Sequence, residues 1–165
     1  ILFIGFAGEE FGLLGAQAWV KAHKDKLPKI ANLFNRDGGP EPPVGISVPQ
    51  AMYDDFVKIS EPIQKIRPDY PFEVKVREPR KRPTRMGGTD ASVFAIEGVP
   101  TLGFTTEDFK GYDFDYGEIW HTERDLYTKN IPEYQEHTAT VTAIIALGVA
   151  NLDKQLSREG LYTEE

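Results

Sequence analysis

Two adjacent carboxylates, Glu9 and Glu10, close an apolar run that opens the sequence as Ile1-Leu-Phe-Ile-Gly-Phe-Ala-Gly8. Adjacent residues at a strand-to-helix turn point in different directions, so one could hold a metal while the other faces a water bound to it, dividing ligand from base. Two Glu in the first turn of a helix could equally serve only to complement its macrodipole. Three further residues share the same setting, each flanked by Gly or placed in a loop after an apolar run: Asp37, Asp90 and His121. In an open α/β sheet the strand ends converge on one edge, which turns five dispersed residues into a cluster. Carboxylate with imidazole suits zinc; Mg²⁺ rarely uses His, and Ca²⁺ wants more oxygens.

Composition narrows the chemistry. With no cysteine there is no disulfide, thiolate nucleophile or Cys-ligated zinc, which leaves His, Asp and Glu as the strong ligands. A net charge of −7 argues against nucleic acid. No apolar run approaches the ~18 residues of a membrane span. The 165 residues, 40% of them apolar, suffice for one core, expected as a single domain over 1–165.

The elements that must position the site alternate. The pattern predicts strands at 1–7, 30–34, 72–76 and 98–104, and helices at 10–24, from near Pro49, from about Ala91, and at 131–156. Pro40, Pro42, Pro43 and Val44-Gly-Ile-Ser47 read as a loop, and His23 and His137 as members of solvated helical stretches. Arg77 to Arg85 holds five basic residues and two prolines, which excludes regular structure in its middle. It reads as a solvated loop or a clamp for a peptide carboxylate, and the aromatic, acidic loop from Glu107 to Glu118 as a specificity rim. The fold class expected is α/β: three layers, a mixed and mostly parallel sheet flanked by helices.

Gly8-Glu9-Glu10-x-Gly12-Leu-Leu-Gly15, Asn35-x-Asp37, Gly87-Gly-Thr-Asp90 with Gly98-Val-Pro100, and His121-Thr-x-x-Asp125, in that order, resemble the co-catalytic zinc exopeptidases. These comprise aminopeptidases and the carboxypeptidase Q type, with glutaminyl cyclases as a related branch. The resemblance implies peptide-bond hydrolysis by a metal-activated water, with Glu9 as base and Glu10, Asp37 and His121 as zinc ligands. Asp90 would stand behind the ligands or against the substrate amine, or simply cap a helix. Trp120 would wall the substrate pocket, and Asp125 would order the His121 loop.

The family takes a further His and a bridging Asp from a segment upstream of the Glu-Glu strand, and that segment is expected to be missing here. The resemblance therefore implies two zinc ions in the intact enzyme but weak or absent zinc and no activity in this chain alone. Its partners would be a peptide and the remainder of its own catalytic domain, and its location secreted or periplasmic. Trp120 stands where many members have Tyr, as in glutaminyl cyclases, and Ala91 where many have His. Acyl transfer at a single zinc and a non-catalytic binding domain are the alternatives.

Overall fold

The computed structural model describes residues 1–163. Its central strand is β1, Pro43–Val48, paired in parallel with β2, Glu73–Val76, and antiparallel with β3, Phe104–Thr106, so the sheet is mixed with order β2-β1-β3. The stretch expected as a loop is thus the middle of the sheet. Val44, Ile46 and Val48 supply the β-branched residues, while Pro43, which lacks an N–H, stands beside an irregularity in the register with β3. Gly45 is required: a Cβ there would lie 2.4 Å from the Glu73 carbonyl oxygen across the ladder.

Helices α1 (Leu14–Ala22), α2 (Tyr53–Ile66), α3 (Ala91–Ile96), α4 (Tyr116–Ile119) and α5 (Pro132–Ala150) complete the α/β architecture. Met52, Phe56 and Ile63 from α2 and its lead-in pack with Val141 and Ile145 of α5 and with Ile46 and Val48 of the sheet. A second cluster joins α1 to α3 through Ala16, Val20, Val93 and Phe94. No helix among the described residues is long and apolar enough to cross a membrane.

Three expected strands differ. Residues 1–7 join no ladder, and Ile1, Leu2 and Phe3 are 71%, 68% and 90% exposed because no described element lies against them. Residues 30–34 and 98–103 lie side by side, yet Leu33 N–H to Pro100 O is the one main-chain bond between them. The Asn32 amide substitutes for the ladder by donating to Leu102 O and accepting from Leu102 N–H. Only Phe104–Thr106 of the later run is strand.

His137 is fully buried rather than solvated, stacked 3.9 Å from Tyr70, its Nε2–H donating to Pro43 O at 3.0 Å. Burial lowers its pKa, which favours the neutral ring. His23 also lies against a partner, stacked on Trp19.

The α2–α5 contact leaves no room for a methyl at Gly148, where a Cβ would meet Ile59 Cγ2 at 2.3 Å. Ala normally improves a helix interior by roughly 0.5–1 kcal/mol, but overpacking costs ~1–3 kcal/mol. Gly148→Ala is therefore expected to destabilise the fold, read as a lower urea midpoint with unchanged slope.

Candidate metal and catalytic site

The Glu9-Glu10 turn is built by close approach. Gly15 N–H donates to Ala7 O at 2.8 Å, and a Cβ on Gly15 would sit 2.6 Å from that oxygen. The chain reaches this position through Gly8 and Leu13, both with positive φ, and through Glu9 O accepting from the N–H groups of Gly12 and Leu13. Because α1 begins only at Leu14, Glu9 and Glu10 precede the helix, and its first turn holds no acidic residue. Complementing the macrodipole is therefore not their role.

His121 arrives from the other end of the chain, with φ 57, a left-handed backbone that costs a non-glycine residue ~1–2 kcal/mol. Its Nε2 lies 3.3 Å from Glu10 Oε2. Two ligands bound at ~2.0–2.2 Å to one tetrahedral zinc stand ~3.3–3.6 Å apart, so this pair fits two positions on such an ion. Among the described residues no group of three or more His, Cys, Asp or Glu gathers closely enough to hold a metal.

Glu9, Glu10, Asp37 and His121 line one cleft of about 1610 Å³ together with Trp120 and Asp125. Partial desolvation, then the charges of Asp37, Glu10 and Asp90, raise the Glu9 pKa, and His121 opposes them. Four of the five residues collected from the sequence thus line one cleft, and the fifth, Asp90, is near enough for its charge to act on Glu9.

Asp90 is 8% exposed, and its Oδ1 has no hydrogen-bond partner. Its pKa is raised by burial and then by Asp37. It does not cap α3; Thr89 Oγ1 accepts from Ala91 N–H and from Asn35 Nδ2. Asp125 is exposed, and its carboxylate makes no hydrogen bond among the described residues. Thr122 orders that loop instead, its hydroxyl donating to Glu118 O at 2.7 Å. Trp120 is 58% exposed, its ring 4.7 Å from that of His121.

Arg36 and Lys129 of the cleft were not evident in sequence, whereas Tyr116 belongs to the loop read there as a specificity rim. Arg36 donates to Gly39 O and Glu41 O, and Lys129 pairs with Glu118 at 2.9 Å. Phe114 and Tyr116 lie against Gly39, where a Cβ would approach them to 2.7 and 3.0 Å. The Gly38-Gly39 pair beside Asp37 was the available signal of close approach.

Residues 1–145 match Peptidase family M28. The chain belongs to that family. A crystal structure of a Peptidase M28 precursor from Shewanella amazonensis SB2B is similar to it in fold, with a TM-score of 0.66 and 24% identity. The match covers 92% of this chain and 31% of that one, so this chain spans under a third of that M28 protein. No curated protein matches the sequence.

Raised in the fold, the Glu9 pKa means that stability is greatest below the unfolded value of about 4.3 and is lost as pH rises through the folded one. Glu9→Gln is thus expected to raise Tm at pH 7, with the gain vanishing near pH 4. Thermal melts across that range check the sign.

Proposed function

We propose that this M28 chain carries the catalytic residues of a zinc-dependent exopeptidase, an aminopeptidase in particular, with Glu9 as general base and Glu10, Asp37 and His121 as ligands. The observation that carries the reading is the Glu10–His121 pair, spaced for one ion beside a carboxylate of raised pKa. Zinc bound there would supply Lewis acidity and bring the pKa of a water toward neutrality.

The chain's residues account for the rest of the chemistry. Glu9 holds a proton more readily than an ordinary Glu, which suits a base that takes a proton from water and returns it to a leaving amine. Trp120 can offer an indole N–H toward a developing oxyanion but cannot accept a bond. Asp37 and Asp90 add negative charge that attracts a substrate ammonium.

The negative charge of Asp37 and Asp90 favours amino-terminal over carboxy-terminal cleavage. Of the cleft's cations, Lys129 is ion-paired with Glu118, while Arg36 is positioned by Gly39 O and Glu41 O without being neutralised. Acyl transfer of the glutaminyl cyclase kind is the second reading, favoured by Trp120 beside a pair of ligands suited to one zinc.

In the protein that carries this chain, Glu9→Gln is expected to keep its zinc while kcat falls by ~10²–10⁴. His121→Ala is expected to lose metal. Metal analysis alongside assays with aminoacyl anilides, carboxy-terminal dipeptides and glutaminyl peptides separates the readings; unchanged turnover in Glu9→Gln removes Glu9 from the base role.

A further inference from the structure

Six basic residues stand apart from the cleft and from the proposed chemistry: Arg77, Arg80, Lys81, Arg82 and Arg85 in one segment, and Arg158 near the end of the chain. Arg77, Arg80, Arg82 and Arg158 lie close enough to the half-buried Tyr162 for all four charges to act on its phenol. Arg77 and Arg80 also repel each other.

Three of the six are fixed by carbonyl oxygens, which position a guanidinium without neutralising it. Arg82 Nε donates to Ile96 O at 2.9 Å, at the end of α3. Arg158 spans Gly98 O, Leu27 O and Ile30 O at 3.0–3.2 Å. Arg77 reaches Glu78 O and Leu161 O. The side chains of Arg80, Lys81 and Arg85 are exposed and make no hydrogen bond or ion pair among the described residues.

No carboxylate among the described residues is ion-paired with any of the six, although the chain has 26 acidic residues against 19 basic. The nearby Glu97 is taken by Lys24. A set of like charges, four of them about Tyr162 and three held in place, with no ion-paired carboxylate among the described residues, is organised to receive an anion.

The segment sets the form of that anion. It continues from β2, an edge strand, and between Arg77 and Arg85 two prolines and a single bridge, Arg80 to Tyr162, leave it outside the ladder. Nine extended residues reach about 30 Å, which matches a short extended peptide. No aromatic residue lies between Arg77 and Arg85 to stack on bases, and the rest of the chain, more acidic than the whole, repels a long polyanion.

We infer that the Arg77–Arg85 segment, with Arg158, is a docking surface for an acidic, extended polypeptide segment. The surface is independent of the peptidase reading, so failure of either leaves the other standing.

The test is fluorescence anisotropy with a labelled oligoglutamate of about ten residues. Binding is expected to weaken as salt rises, and Kd to increase about tenfold or more in R80E/K81E/R85E. It should be unchanged in K21E/K58E/K65E, which makes the same charge change on exposed lysines elsewhere. The milder R80Q/R85Q is expected to lose part of the affinity and guards against misfolding of the triple variant. Absence of binding, equal loss in both triple variants, or tighter binding of a single-stranded oligonucleotide of equal charge would overturn the proposal. So would a sharp gain in E164Q/E165Q, because the chain's own carboxylates would then be the occupant.

Discussion

The contact of α1 with the backbone at Ala7 is the constraint from which the site follows. With 2.6 Å between the Gly15 Cβ position and Ala7 O, any side chain there would push the helix away and open the turn that holds Glu9 and Glu10. Because the helix cannot start earlier than Leu14, the two carboxylates sit on a tight irregular turn and present different faces. Adjacent residues on a regular helix would diverge by a fixed angle and could not be tuned in this way. Glycine, not the carboxylates, is what the motif needs first.

The second half of the site is held by a longer chain of contacts. Tyr134 of α5 is fully buried and donates to Asp108 Oδ1 at 2.6 Å while accepting from Lys110 N–H. Burial, then the bond to Asp108, pushes its pKa up to about 12, so the phenol remains a donor. Asp108 also accepts from Tyr112 N–H, and Glu133 accepts from Lys110 Nζ and Tyr70. The loop fixed there carries Phe114 and Tyr116 onto Gly39 and leads through α4 to Trp120 and His121. Core packing on one face of α5 is thus connected, by hydrogen bonds and by the rings of Phe109 and Tyr112 against Tyr134, to an imidazole held in a strained backbone conformation.

The sequence disclosed the site better than the sheet that supports it. Carboxylates after apolar runs and a lone His after an acidic loop picked out Glu9, Glu10, Asp37 and His121, which line one cleft although the runs before Glu9 and Asp37 join no ladder. Helix α2 was equally plain from Phe56, Ile59 and Ile63 on one face. Strand β1 was hidden by its own devices: Pro42, Pro43 and Gly45 mimic a loop, whereas Pro43 sits at a register irregularity and Gly45 answers a close neighbour across the ladder. His137 could not be read because its burial depends on Tyr70 and Pro43, residues distant in sequence, while Glu136 and Thr138 beside it suggest a wet surface. The exposure of Ile1 to Phe3 shows the same limit, since an apolar run states a preference for burial without naming what provides it.

The central claim is a division of labour between two neighbouring carboxylates, one bound to metal and one free. Anomalous diffraction at the zinc edge from crystals of the zinc-loaded protein tests it most directly. The account predicts a peak within ~2.0–2.2 Å of both a Glu10 carboxylate oxygen and His121 Nε2, with the Glu9 carboxylate outside bonding distance. A zinc bonded to Glu9, or one placed away from Glu10 and His121, would contradict it.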